Sequence, residues 1–205
     1  NRDLELKATD LEKKLNVKQC HLLNDWESIG YSLPLMTKND FKVIKNGNMD
    51  NSQTCLAIGP GTGLGFSVLR HVGNVPYVYP TELGNARSYN DHLSNLFEID
   101  NSENFIVLED YLSGTGIKKI YAEKSGQNLT TEEIVSGYLD DDLATFVLNN
   151  FVIALNNILQ DLALTFNAKG GIFFAGSLMR TISEMSSINY IKEEFNKHSS
   201  EAHSN

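Results

Sequence analysis

Residues 54–69 read Thr-Cys-Leu-Ala-Ile-Gly-Pro-Gly-Thr-Gly-Leu-Gly-Phe-Ser-Val-Leu. Two β-rich stretches flank a turn at 59–65 that contains four glycines, so the pattern predicts a β-hairpin. Glycines at this density let a backbone approach a phosphate closely and direct amide N–H groups at it, and Thr62 can add a hydroxyl. No helix follows the turn and no Lys-Ser/Thr pair ends it, which excludes a dinucleotide-binding fingerprint and a P-loop. The glycines alone also fit a plain hairpin turn.

Strands and helices alternate along the rest of the chain, a pattern typical of α/β or α+β proteins. Helices are predicted at 10–15, 26–33, 89–96, 105–112, 143–166 and 178–186, and further strands at 17–23, 75–79 and 172–175. The longest apolar stretch, 143–166, is interrupted by Asn, Gln and Asp, so we expect a buried or amphipathic helix there and no membrane partner.

The composition is acidic, with 17 Lys and Arg against 26 Asp and Glu and a formal net charge of −9. Proteins that grip nucleic acid normally have a basic face, so no nucleic-acid partner is expected. An acidic chain can still bind ATP, because backbone amides and Mg²⁺ hold phosphates locally. Cys20, Cys55 and the five histidines lack zinc-binding spacing, so we expect no metal site built from side chains and a reducing, cytoplasmic compartment.

Four further segments carry polar or glycine-rich signals. They are Leu-Leu-Asn-Asp-Trp-Glu-Ser at 22–28, Pro-Thr-Glu-Leu-Gly-Asn at 80–85, Leu-Glu-Asp-Tyr-Leu-Ser-Gly-Thr-Gly at 108–116 and Gly-Gly-Ile-Phe-Phe-Ala-Gly-Ser at 170–177. Taken in order with 57–65, they resemble the Asn-Asp segment, second phosphate loop, sugar loop, Glu-x-x-Leu-Ser-Gly-x-Gly motif and adenosine motif of bacterial-type glucokinases. Each motif is weak alone, but five in the family's order are specific.

The resemblance implies an α/β fold of the actin/hexokinase-like (ribonuclease H-like) type, a two-lobed ATPase with ATP and sugar between its lobes. Residues 1–53 would belong to the small lobe and 54–205 to the large lobe. The family's first phosphate loop, an Asp-Gly-Gly-Thr hairpin, and its last strand and helix have no counterpart in this sequence. We therefore expect a fold that is incomplete at both ends, from an internal portion of a longer kinase or a degenerate relative, and no activity from the 205-residue chain alone.

The resemblance also implies ATP-dependent phosphorylation of glucose at its 6-hydroxyl, with Mg²⁺. Asp25 would be the general base that takes the proton from this hydroxyl as it attacks the γ-phosphate. Without the family, Asn24 or Asp25 would be read as the cap of the following helix, a common use of these residues.

The other implied contacts divide between sugar and nucleotide. Those to glucose would come from Asn24, Glu82, Asn85 and Glu109. Those to ATP would come from Gly59, Gly61, Thr62, Gly63, Gly114, Gly176 and Ser177. Taken alone, Glu82 and Glu109 also fit a solvated loop carboxylate and an exposed helix residue. The sequence departs from the family at Asn85, where His is common, and at Ser177, where Gly is common.

Three other interpretations stay open at this point. One is a kinase for another hexose or an N-acetylhexosamine in the related repressor–kinase group, many of whose members have a Cys-rich zinc loop that is absent from this sequence. Another is a non-catalytic, sugar-sensing regulator of the same fold, which the missing first loop and the Asn at position 85 would suit. The third is an α/β binding domain whose motifs match by chance. A homodimer is implied by the resemblance only.

Overall fold

A four-stranded mixed sheet with helices on both faces organises residues 6–37, 39–47, 50, 52–195 and 197, which the computed structural model describes. Its strands are β1 (Cys55–Pro60), β2 (Leu64–Val72), β3 (Val75–Pro80) and β4 (Gly171–Phe174). The helices are α1 (Ala8–Leu15), α2 (Asp25–Ser32), α3 (Asn90–Leu96), α4 (Gly114–Ser125), α5 (Thr131–Ser136), α6 (Asp142–Phe166), α7 (Ser177–Ile182) and α8 (Asn189–Glu194). Short 3₁₀ turns occur at Leu33–Leu35, Leu83–Asn85, Ser102–Asn104, Leu108–Asp110 and Ser186–Ile188.

The predicted hairpin is confirmed as the antiparallel pair β1–β2. Both strands extend into the glycine-rich stretch, so that Gly59 pairs with Gly65 and Pro60 with Leu64, and only residues 61–63 form the turn. The strand order is β3-β2-β1-β4, with β4 parallel to β1. A parallel pair needs a long crossover connection, and the helices between β3 and β4 supply it.

The larger core lies on one face of the sheet and is built around α6. This helix buries twelve residues and is long and apolar enough, by length and composition, to cross a bilayer. However, 61% of its most apolar stretch is buried inside the structure. Leu56, Ile58 and Phe66 of the sheet belong to the same apolar cluster, so α6 serves as the central helix of this core.

The opposite face of the sheet is covered by α2. A smaller cluster there joins Leu33 to Ala57, Leu69 and Val78. A Cβ atom on Gly30 would lie only 2.7 Å from Cγ1 of Val78, so this glycine lets the helix approach the strands closely. The helix therefore packs directly on strands from the other side of the proposed boundary at residue 53. The division into lobes remains a prediction.

Two predicted elements are wrong. Residues 17–23 form no strand: Leu22 and Leu23 are 50% and 46% exposed, and the segment pairs with no strand among the described residues. The helix predicted at 105–112 is reduced to a 3₁₀ turn. The reason is Asp110, whose Oδ2 accepts hydrogen bonds from the N–H groups of Ile106 and Val107 at 2.8 and 2.9 Å. A side chain that binds nearby backbone in this way competes with regular helix formation.

The two long helices of the large core, α4 and α6, are joined by a hydrogen bond from the Tyr121 hydroxyl to Asp141 Oδ2 at 2.6 Å. Asp141 also caps α6 through the N–H groups of Leu143 and Ala144. The Tyr121 bond, with the backbone bonds adding to it, holds the pKa of Asp141 below its ordinary value of 3.8. A carboxylate with a lowered pKa in the folded state contributes stability above its unfolded pKa and loses it as the pH falls through the folded pKa.

Tyr121→Phe should therefore lower the free energy of unfolding most near neutral pH. The difference in this free energy between variant and wild type should shrink as the pH falls below 3.8. Thermal unfolding followed by circular dichroism between about pH 7 and pH 3 would measure this difference across the titration of the carboxyl group. Tyr138→Phe is the matched control, because the hydroxyl of Tyr138 contacts the uncharged side chains of Asn149 and Ser186. An equal pH dependence in both variants would contradict the assignment.

Candidate functional site

Asp25, the predicted general base, and Asn24, a predicted sugar contact, lie at the start of α2, where both residues are exposed. Asn24 is the N-cap, and its Oδ1 accepts a hydrogen bond from the N–H of Trp26 at 2.8 Å. Asp25 Oδ1 accepts from the same N–H at 2.9 Å. The capping interpretation therefore describes these contacts. One oxygen of the carboxylate remains available for another role, since Asp25 Oδ2 has no hydrogen-bond partner among the described residues.

The next residue, Trp26, connects α2 to the hairpin. Its indole lies against the backbone of the paired residues Gly59 and Gly65. A Cβ atom on Gly65 would lie 1.6 Å from indole Nε1, and one on Gly59 would lie 2.2 Å from Cη2. Both positions must be glycine for the ring to sit there. The glycine-rich motif predicts a phosphate-binding role for this turn, and packing against Trp26 is a second reason for these two glycines.

The hairpin tip is held by the start of α4. The N–H of Gly114 donates to Gly61 O at 2.7 Å, and the hydroxyl of Thr115 donates to Thr62 O at 2.7 Å. Ser113 caps α4 by accepting a hydrogen bond from the N–H of Gly116, so the helix begins at Gly114. The helix thus fixes the two carbonyl groups of an exposed tip.

Donors for an anion remain available at this tip. The N–H groups of Thr62 and Gly63 and the hydroxyl of Thr62 have no hydrogen-bond partner within the described part of the chain. Gly61 and Thr62 are exposed, and Gly63 is half-buried. A rigid turn with free amides and a hydroxyl is a suitable anion-binding concavity. Gly114 differs, because it is buried and its amide already binds Gly61.

Glu109 lies at the junction of the hairpin and the predicted sugar loop. Its Oε2 accepts a hydrogen bond from the N–H of Leu64 at 3.3 Å. Cβ atoms on Gly63 and Gly84 would lie 2.7 and 2.9 Å from the same oxygen. The carboxylate is thus enclosed by the backbone of both loops, which excludes the exposed-helix interpretation of this half-buried residue.

The sugar loop itself is short and tied to the core. The hydroxyl of Thr81 donates to Phe66 O at 2.9 Å, and Asn85 Nδ2 lies 3.4 Å from Glu82 Oε2. Glu82 and Asn85 are both exposed. Together with Glu109 beside Gly84, they form a cluster of polar side chains that are able to bind hydroxyl groups.

The predicted adenosine motif forms the turn after β4. Gly176 has φ +102°, a conformation that favours glycine, and precedes Ser177, the first residue of α7. Parallel strands β1 and β4 end side by side here: the Cβ position of Gly176 lies 3.8 Å from Pro60 O. Ligands of α/β sheets bind outside the carboxyl ends of such strands.

A cavity of about 1070 Å³ borders Gly176 and runs along β4, the strand at this edge of the sheet. Its polar lining includes Arg180 and Ser183 of the α7 segment, and Phe173 and residues 40–47 form another wall. Ser177 does not line it. Within the described ranges, no group of three or more His, Cys, Asp or Glu side chains could hold a metal ion.

Comparison with known proteins gives a consistent result. The family model described as "Glucokinase" matches residues 1–202. The glucokinase of Saccharophagus degradans is 26% identical over 204 residues, which cover 94% of this chain and 64% of the relative. A glucokinase structure from an Antarctic psychrotroph superposes with a TM-score of 0.75 at 24% identity, covering 91% of this chain and 62% of that one.

A ROK family glucokinase from Streptomyces griseus, solved in complex with glucose and AMPPNP, has a TM-score of 0.57 at 15% identity and is covered over 62% of its length, against 92% of this chain. These likenesses establish the sugar-kinase fold of the actin/hexokinase-like type. The chain spans less than two thirds of the length of each of these three proteins.

Proposed function

The chain belongs to the glucokinase family, and we propose that the whole protein transfers the γ-phosphoryl group of ATP to the 6-hydroxyl of glucose. The observation that carries this proposal is the hairpin tip at 61–63. The amides of Thr62 and Gly63 and the hydroxyl of Thr62 have no partner among the described residues. The hairpin contacts both Trp26, on the helix that bears Asp25, and Glu109, which also lies beside Gly84 of the sugar loop. A phosphate-binding turn between a carboxylate and a hydroxyl-binding cluster is the arrangement that sugar phosphorylation requires.

In the proposed mechanism, Asp25 accepts the proton of the sugar 6-hydroxyl as that oxygen attacks the γ-phosphorus. The reaction breaks the bond from this phosphorus to the bridging oxygen of ADP, and the hydroxyl proton passes to Asp25 Oδ2, which has no hydrogen-bond partner among the described residues. Asn24, Glu82, Asn85 and Glu109 orient the sugar through its other hydroxyl groups. An oriented reactant lowers the barrier because the entropy of alignment is lost on binding.

The nucleotide is held along the carboxyl ends of β1 and β4. The amides of Thr62 and Gly63 bind phosphate oxygens, and Gly59 and Gly61 keep the backbone close to them. Gly114 acts through its bond to Gly61 O at 2.7 Å, while Gly176 and Ser177 receive the adenosine beside the cavity. Mg²⁺, when bound with ATP, would neutralise charge on the phosphate groups.

The remaining assignments complete the proposal. We place the enzyme in the cytoplasm, with glucose as substrate and no nucleic-acid or membrane partner. The division into a small-lobe portion at 1–53 and a large-lobe portion at 54–205 follows the family's two-lobed arrangement. The implied homodimer is tested by sedimentation of the full-length protein: a single species of twice the chain mass supports it.

Glu109 permits a test that separates sugar binding from nucleotide binding. Glu109→Gln should weaken glucose binding by about 1 to 3 kcal/mol, because a sugar hydroxyl loses its charge-assisted partner. Its amide oxygen can still accept from Leu64 N–H, so ATP binding should persist. Glu109→Ala removes the contacts with the sugar and with Leu64 N–H, and should weaken the binding of both glucose and ATP. Calorimetric titration of full-length variants with glucose and with an ATP analogue measures both affinities.

Glu82→Gln is the matched comparison for the sugar, since Glu82 makes no hydrogen bond with the hairpin among the described residues. We expect weaker glucose binding of the same order and unchanged nucleotide binding. Unchanged glucose affinity in both glutamine variants would refute the assignment of the sugar cluster.

A further inference from the structure

We propose that Trp26 is the positioning residue that sets the distance between Asp25 and the phosphate-binding tip. This inference rests on the proposed function and extends it, because Trp26 contacts the hairpin and Asp25 but no reacting atom. Without this contact, the amide of Asn24 and the carboxylate of Asp25 would be held to the sheet by contacts farther along the helix.

The first link runs from the hairpin to the indole. Gly59 and Gly65 form the second ladder pair from the tip, and the ring lies across both. The Cβ positions of these glycines fall 2.2 and 1.6 Å from indole atoms, far inside van der Waals contact. The ring therefore rests directly on the hairpin backbone.

The second link runs from Trp26 to Asn24 and Asp25. The backbone N–H of Trp26 donates both to Asn24 Oδ1 at 2.8 Å and to Asp25 Oδ1 at 2.9 Å. One residue thus holds the hairpin with its side chain and both site residues with its main chain. A displacement of the ring therefore moves the neighbouring residue Asp25 as well.

The physical consequence concerns alignment. A general base must lie within hydrogen-bond reach of the proton that it takes. A misplacement of about 1 Å can cost on the order of a hundredfold in rate. Ile29, Tyr31 and Leu33 lie farther along the segment, in the apolar cluster over β1–β3 against which Trp26 also packs. Trp26 differs from them in its place in the first turn of the helix and in the contact of its ring with Gly59 and Gly65.

The test uses full-length variants of the protein. Trp26→Ala should lower kcat by on the order of a hundredfold and leave the KM for glucose within about threefold, because alignment and not sugar binding is lost. Trp26→Phe, which keeps a flat ring on the glycines, should recover kcat to within about tenfold of wild type. Leu33→Ala is the packing control: it should lower thermal stability with kcat nearly unchanged.

Gly65→Ala tests the same contact from the other side, since its Cβ would occupy the position of indole Nε1. It should lower kcat and change the fluorescence of Trp26, obtained as the difference from the spectrum of Trp26→Phe. Gly137→Ala is its control, because a Cβ there would meet its nearest neighbours at 3.4 Å, an ordinary van der Waals contact, away from the hairpin. In the double variant Gly65→Ala/Trp26→Ala, kcat should fall no further than in Trp26→Ala, because one contact is lost only once.

If Trp26→Ala reduced kcat no more than Leu33→Ala, Trp26 would be an ordinary packing residue and the proposal would be overturned. Additive losses in the double variant, or unchanged fluorescence in Gly65→Ala, would also overturn it. An active wild type in these cases leaves the proposed function standing. A wild type that phosphorylates no sugar overturns the proposed function and the positioning role together.

Discussion

Asp25→Asn should lower kcat for glucose phosphorylation by on the order of a hundredfold or more in the full-length protein, while glucose still binds. The change replaces one carboxylate oxygen by an NH₂ group of the same size. Amide Oδ1 can still accept the Trp26 N–H bond that Asp25 makes at 2.9 Å, so the start of α2 should be kept. What is lost is the proton acceptor.

The control is Asp91→Asn. Asp91 is also an exposed acid in the first turn of a helix, α3, but it lies outside the site. Removing it costs the same favourable interaction with a helix N-terminus without touching the reaction. Steady-state kinetics and glucose titration of both variants would separate the effects. A kcat within a few-fold of wild type for Asp25→Asn would restore capping as the sole role of this residue.

Gly114→Val should reduce kcat/KM for ATP by on the order of a hundredfold, because it displaces the turn that holds the phosphates. The Cβ of Gly114 would lie 3.0 Å from Gly61 O, and the branched side chain of Val needs still more space. The crowded atom belongs to backbone and cannot turn away. The hairpin tip must therefore move, and the amides of Thr62 and Gly63 move with it.

Two further variants grade this effect. Thr115→Val removes only the hydroxyl that donates to Thr62 O, so a loss of roughly 1 kcal/mol, or several-fold in kcat/KM, is expected. Lys118→Val introduces the same side chain at an exposed position of α4 and should leave kcat/KM for ATP near wild type. Equal activity in Gly114→Val and Lys118→Val would refute the anchoring of the tip by α4.

Much of the fold follows from local signals. The hairpin is set by glycines between two β-rich runs, and α6 by a long apolar stretch that begins after Asp141. Both depend on residues close in sequence. The two wrong predictions concern segments whose structure depends on strand pairing or on side-chain hydrogen bonds. Residues 17–23 have strand-like composition but find no strand to pair with among the described residues, and Asp110 diverts the helix predicted around it into a turn through two side-chain bonds.

The site was predictable as a set of loops but not as a geometry. Motif order brought Glu82, Asn85 and Glu109 together, and the structure shows how Gly84 permits it. The contact of Trp26 with Gly59 and Gly65 has no local signal, because both glycines lie more than thirty residues after Trp26 in the sequence. Only the packing of α2 on the sheet brings them into contact. Gly114 likewise looked like a nucleotide ligand, whereas its amide binds the hairpin.

The central claim is that this constellation phosphorylates glucose. The most direct test is an ATP-dependent phosphorylation assay of the full-length gene product with glucose, mannose, fructose and N-acetylglucosamine, followed by identification of the phosphorylated carbon. The account predicts turnover with glucose as the best substrate, within the range of about 1 to 100 per second of ordinary kinases, and a product phosphorylated at the 6-oxygen. Glucose binding without ATP-dependent turnover of any of the four sugars would contradict it and favour a sugar-sensing protein of the same fold.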